Sequence, residues 1–430
     1  MTSDTRFWHP FADMAAVRGN ELVIAEGDGC YVTDTEGKRY FDGTASLWCV
    51  NVGHGREEIV QAVAAQMREL SSYSTFGAFS NRPAEALAER LATYAEGVVE
   101  QPHVFFNLGG SDAIDTAAKL ARRYFSAIGE PGRVHIIGRV QAYHGVHALG
   151  TSIGGIPANQ EGMGPLDPET SHVPWDSLEA LEAEFERVGT QRVAAVFAEP
   201  VIGAGGVHRV PPGYLQGLAE LCRRHGALFV ADSVITGFGR LGTWYGIDRF
   251  DVRPDMITFA KGVTSGYLPL GGIVVGGRVA EPFWTRGGLW FRHGQTYSGH
   301  PTCCAAAQAN LDIIEREGLL DRGRELEVEM ASALGTLEGH ELVGGIRAGI
   351  GALGAVAFDA GALAEHPDLP ARTFSAARER GLFVRPLGDA VALSPPLIAT
   401  REEIDRAAQT IGEACDAVAA DLGRAAAAAG

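Results

Sequence analysis

Apolar and polar positions set two alternating textures along this chain. Helical patterns run over Arg56–Leu70, Pro83–Tyr94, Ser111–Ala127 and Pro212–His225. Around them lie short apolar runs: VFFNL, VHIIG, VAAVFAEP, ALFVAD, MITFAK and GGIVVGG. Short β-rich runs separated by helices predict a mainly parallel sheet covered on both faces. The stretch ELVIAEGDGCYVTDTEGKRYFDG reads as strand pieces broken by Asp-Gly and Glu-Gly turns. From about residue 301 a long helical pattern leads into a strand pair (GGIRAG, GALGAVAFD), then helix, strand, strand and helix to about 422. The expected architecture is α/β: a large domain at 61–300, and a smaller α+β domain made from an N-terminal segment (1–60) and a C-terminal part (301–430). The final GRAAAAAG reads as a frayed tail.

Composition narrows the class. The 430 residues exceed the roughly 250–300 at which one core stops growing, so two or three packed domains are expected. At 46% apolar the chain is not a disordered one. A net charge of −17 argues against a general nucleic-acid binder, yet permits a local anion site because charge is screened over about 8 Å. Six cysteines with no C-x-x-C pair suggest reduced, mostly buried thiols in a cytoplasmic protein. The N-terminal MTSDTRFWHPFADM has no signal-peptide core, and no apolar run approaches the ~18 residues of a membrane helix.

Ligands of open α/β sheets bind at the carboxyl ends of the strands. After VFFNL come Gly109, Gly110, Ser111 and Asp112 at a helix start: two glycines for close approach, Ser111 as a cap, and free N–H groups that attract an anion. Any capped turn has this look, so the pattern carries weight only in company. Tyr143-His144-Gly145 follows VHIIG and offers a ring to stack on a flat ligand. His144 and His147 lack partners at metal-ligand spacing, and no metal is expected. Glu199 ends VAAVF and is equally readable as a ligand contact or a surface carboxylate. Asp232 closes a buried strand, which is costly unless it is paired, and shares a face with Val234. Gly237–Gly242 has the G-x-G-x-x-G form, but no helical pattern follows, so a nicotinamide-binding reading fails. Lys261 ends MITFA, and an amine there is suited to a Schiff base. Anion cradle, aromatic, strand-end Asp and strand-end Lys form the set that a planar, phosphorylated, aldehyde-bearing cofactor requires.

This set, with Trp8-His9-Pro10-Phe11, Ser46-Leu47-Trp48-Cys49, Lys261-Gly262 and Thr296-Tyr297-Ser298-Gly299-His300-Pro301, closely resembles the class III aminotransferases, pyridoxal-phosphate (PLP) enzymes of fold type I. The likeness runs from about His9 to about 420. Within the family it is most similar to the ω-amino acid or amine:pyruvate aminotransferases, through Ser-Leu-Trp-Cys and Arg385-Pro386-Leu387-Gly388. The resemblance implies that Lys261 carries PLP covalently and moves the substrate proton, while Asp232 keeps the ring nitrogen protonated. It implies that Tyr143 and Val234 cover the ring faces and that Gly110 and Ser111 hold the phosphate. His144 and Glu199 would complete the cofactor site, and Thr296 would reach in from the neighbouring subunit of a homodimer or higher homo-oligomer. Phe11, Trp48, Phe76, Phe79 and Tyr143 would face substrate, with Arg385 as the carboxylate clamp. The implied reaction is amino transfer from an ω-amino acid or amine to pyruvate by a ping-pong route through Lys261. The alternative is a PLP isomerase (aminomutase or racemase) of the same family. Ser233 replaces the family's usual Glu and should face away from the ring. Ala204 stands where GABA- and ornithine-type members carry Glu, which favours the pyruvate-using group.

Overall fold

The computed structural model describes residues 5–429. Residues 1–4, part of the N-terminal stretch read above for a signal peptide, and Gly430 at the tail lie outside the described residues. A seven-stranded sheet forms the centre: β1 (His103–Asn107), β2 (His135–Arg139), β3 (Thr170–Val173), β4 (Val193–Ala198), β5 (Leu228–Asp232), β6 (Met256–Phe259) and β7 (Gly271–Val275). Its spatial order is β1-β7-β6-β5-β4-β2-β3. Only β7 runs antiparallel to its neighbours. The six apolar runs each supply one strand. β3, sequence TSHV, is too polar to be picked out by its pattern.

Burial on both faces explains the unbroken apolar runs. β2, β4, β5, β6 and β7 are buried throughout. One face packs on the helix Gly110–Ala127 through Ala113, Ile114, Ala117 and Ala121, against Ile136, Phe197, Val230 and Ile273. Small residues on that helix bring its axis close to the strands. The other face carries Val196, Phe229, Ala231 and Ile257 against Tyr214, Leu215 and Leu218 of the helix Tyr214–His225.

The N-terminal strands Ile24–Asp28, Tyr31–Asp34 and Arg39–Asp42 form a separate sheet whose fourth member, Leu382–Phe383, comes from late in the chain. Another four-stranded sheet contains Val343–Arg347, Gly354–Phe358, Ala390–Leu393 and Arg385–Leu387. Two expectations change. The long helical pattern after 301 is two helices, Pro301–Arg316 and Leu319–Gly335, separated at Gly318, whose φ of +63° breaks the run. The supposed frayed tail is helical to Ala429, because alanine has the highest helix propensity of any residue. Gly237–Gly242 folds as successive turns with no α-helix after it.

Candidate active site

The carboxyl ends of β1, β2, β4, β5 and β6 open onto one cavity of about 100 Å³. Gly110, Ser111, Tyr143, His144, Glu199, Asp232, Val234 and Lys261 all line it. Five separate chain segments therefore meet where the sheet ends.

At β1, the helix begins at Gly110, one residue before the sequence reading placed it. Ser111 consequently does not cap it. Its Oγ instead accepts the Val146 N–H at 3.1 Å. The first internal helix closure is Ala113 N–H to Gly109 C=O at 3.1 Å, so the N–H groups of the first turn remain available to an anion. Gly110 has no spare room, since a Cβ there would lie 2.8 Å from Val234 Cγ1. Gly145 has φ +87°, and a Cβ there would press within 2.5 Å of Ser111 Oγ.

At β5, Asp232 is buried and fully directed. Its Oδ1 accepts from Val234 N–H at 3.1 Å and from Thr258 Oγ1 at 3.0 Å. Its Oδ2 lies 2.7 Å from His144 Nδ1. His144 thus joins the site through Asp232, while His147, exposed and 3.6 Å from Asp112, takes no part with it. His144 Nε2 is buried without a protein partner. At β4, Glu199 is buried, which removes the surface reading. It accepts Tyr143 N–H at 3.2 Å and Gly203 N–H at 2.9 Å. Burial pushes its carboxyl above the ordinary range, against the opposing pull of His144.

Beyond β6, Lys261 sits on a short 3₁₀ turn with φ +47°, a conformation that L-residues adopt at a cost. The turn is pinned by Asn310 Nδ2, which donates to Gly262 C=O and Val263 C=O, both at 2.9 Å. Its amine is enclosed by protein while the side chain keeps an opening to the cavity. Enclosure pulls its pKa below the usual lysine value, opposed by the charges of Asp232, Cys49 and Glu199. A directed carboxylate, an amine with lowered proton affinity, an aliphatic wall at Val234 and an open helix N-terminus fit a flat, phosphorylated aldehyde.

Arg385 does not line this cavity but a separate one of about 540 Å³, with Asp42, Ser46 and His54, and it sits against Trp48. Trp48 is 3% exposed, and the Arg385 guanidinium sits 5.1 Å from its ring centroid. Arg385 Nε is buried with no protein acceptor. Burial lowers the Arg385 pKa, and its charge acts on both Tyr143 and Lys261. The other expected residues fall elsewhere. Phe76 and Phe79 line an open surface groove of about 770 Å³, and Phe11 is 75% exposed. Thr296 is exposed and does not line the Lys261 cavity.

Sequence reasoning missed the supports. Thr258 is the one polar residue in MITFA and stands level with Asp232 on the adjacent strand. That lone hydroxyl was the available signal. Asn51 and Arg240 left no such signal: Arg240, fully buried, donates to Asn51 Oδ1 at 2.8 Å and to Pro395 C=O at 2.6 Å, tying three distant segments together.

Comparison with known proteins agrees with this geometry. The family model "Aminotransferase class-III" matches residues 14–415. The beta-alanine–pyruvate aminotransferase of Pseudomonas aeruginosa is 35% identical, covering 96% of each chain. The putrescine–pyruvate aminotransferase of the same organism is 36% identical over 92% of this chain and 91% of that one. Among solved structures, an amine transaminase from an uncultivated Pseudomonas species, in its PLP-bound (internal aldimine) form, superposes with a TM-score of 0.92 at 38% identity, covering 96% of this chain and 99% of the other. An (S)-enantioselective omega-transaminase from Thermomicrobium roseum gives 0.90 at 38%, covering 95% and 96%. The chain therefore belongs to the class III aminotransferases, and is an α/β enzyme of PLP fold type I whose cofactor is pyridoxal 5′-phosphate.

Proposed function

We propose that the enzyme moves an amino group from an ω-amino acid or plain amine to pyruvate, in two half-reactions at one site. The observation that carries this reading is Arg385: a half-buried guanidinium over the Trp48 ring, whose charge is felt at Lys261 and Tyr143 and whose Nε–H no protein group accepts. Such a cation with a free donor recruits a carboxylate, and a guanidinium does so bidentately. Ala204, in the loop after Glu199, adds no acidic side chain to compete for it. The two pyruvate-using relatives support pyruvate as the acceptor.

Bound PLP supplies an electron sink that takes an amino group from one substrate and passes it to the next. The chain's part is to hold and steer. Lys261 Nζ, held uncharged more readily by enclosure, is the amine that anchors the cofactor and then carries the proton from substrate carbon. Asp232, fixed by His144, Thr258 and Val234 N–H, would pair with the ring nitrogen and stabilise its proton. Gly110 and Ser111 N–H groups would take the phosphate. Val234 and Tyr143 would cover the ring, and Glu199 would serve its phenolic oxygen.

Phe11, Phe76, Phe79 and Thr296 lie on the outside of this chain, so their assigned roles require a second copy. We therefore include a homodimer in the proposal, with Thr296 serving the other copy's site. Work in the cytoplasm accords with six free thiols, five of them buried. Arg385→Ala tests the clamp. It should raise KM for pyruvate about 100-fold, as loss of a charged hydrogen-bonded pair predicts, while KM for 1-phenylethylamine changes little. Equal effects on both substrates would refute the clamp.

A further inference from the structure

Arg139, the last residue of β2, is wholly buried, yet the groups that meet it are a carbonyl and the Tyr214 hydroxyl, with no carboxylate. Its Nη2 donates to Glu199 C=O at 2.6 Å, while Nε and Nη1 find no acceptor. No carboxylate among the described residues forms an ion pair with it. Glu199 feels its charge but has both oxygens engaged by Tyr143 and Gly203 N–H groups. An enclosed guanidinium stays protonated, so its charge needs a counter-ion from somewhere.

The surroundings supply further donors and no acid. Arg139, Ala198 and Ala231 stand level on adjacent strands, by extension of the pairing Ile137↔Val196 and by Ala231↔Ala198. The bond to Glu199 C=O brings the Arg139 guanidinium to the end of β4, the strand that lies between β2 and β5. The small Ala198 leaves the way across that strand open. Ser233 lies two residues beyond Ala231, on the same face by strand alternation. It is fully buried, and its Oγ has no partner. Tyr214 packs beneath, 5.9 Å from ring centroid to the guanidinium, and its buried hydroxyl turns toward Arg139 with no other partner. The acid felt at Tyr214, Asp176, is exposed. One buried cation and two buried hydroxyls thus share a face without a single acid at hydrogen-bond distance.

We propose that Arg139, Ser233 and Tyr214 form a buried site for one small monovalent anion of halide size, behind the strand ends that carry Glu199 and Asp232. The bound ion neutralises Arg139 and so sets the field in which Glu199 sits. The site needs no contact with substrate or cofactor.

Bromide is the probe. In crystals of the holoenzyme soaked in sodium bromide, an anomalous difference peak should appear within about 3.5 Å of the Arg139 guanidinium and the Ser233 hydroxyl. Chloride should also give a saturable rise in melting temperature, about 2 °C, over gluconate at equal ionic strength. Ser233→Glu places a carboxylate toward Arg139 and should abolish both the peak and the chloride dependence. Arg139→Met should do the same if the glutamate variant does not fold. A wild-type crystal with no bromide at Arg139, or with only water there, overturns the proposal. So does a chloride effect that survives in either variant.

Discussion

Glu199 shows how one buried group ties the site to solution conditions. Enclosure raises its carboxyl above the ordinary 4.5, so the folded protein holds that proton where the unfolded chain releases it. Its contribution to stability is complete below pH 4.5 and is lost as pH rises through the raised folded value. Glu199→Gln removes the titration. Denaturant midpoints of wild type and variant, measured from pH 4.5 upward, should show a wild-type advantage at the acid end that shrinks with rising pH. A constant gap would mean that Glu199 does not titrate in this window. Lys261 and Asp232, the pair proposed to act on the cofactor, stood out in the sequence because each is a charged group ending an apolar run. What holds them was legible only in part: the resemblance put His144 in the cofactor site, but nothing in the sequence showed that its partner is Asp232, 2.7 Å from its Nδ1. Histidine reveals its role only when its neighbour in space is known.

At the scale of elements, the turn from β1 into the helix Gly110–Ala127 decides whether the anion cradle stays open. Alanine at 110 should favour the helix by up to about 1 kcal/mol. Its Cβ would nevertheless press on Val234 Cγ1, 2.8 Å away, and push that side chain into the cavity. Gly110→Ala should thus weaken PLP binding at least tenfold in a fluorescence titration while leaving the melting temperature of the cofactor-free protein close to wild type. Adding Val234→Ala should recover part of the loss, and no recovery would place the defect elsewhere. The strands of the central sheet were readable because both of their faces are buried. β3 escaped because it lies at the edge, where half-exposed Thr170, Ser171 and His172 suffice. The split at Gly318 escaped because helical patterning continues on both sides of it.

At the scale of the whole molecule, the apolar surface of one chain fits the proposed association with a second copy. Phe76 and Phe79 are 54% and 58% exposed along a groove of about 770 Å³ that also includes Trp290. Patches of this kind mark interfaces. Sedimentation should give twice the chain mass or a higher even multiple of it. Phe79→Asp should shift it toward monomer with a fall in turnover of at least tenfold, and a fully active wild-type monomer would contradict the shared-site account. The sequence alone could assign Phe76, Phe79 and Thr296 only through resemblance, because no pattern within one chain marks a residue that acts across an interface.

Amino transfer to pyruvate at Lys261 leaves an optical signature. The most direct test follows the visible absorbance of the purified yellow enzyme through addition of β-alanine or 1-phenylethylamine and then pyruvate. The account predicts bleaching by the amine and recovery with pyruvate, yielding one alanine per site. Bleaching that pyruvate cannot reverse, or colour unchanged by any amine donor, would contradict it.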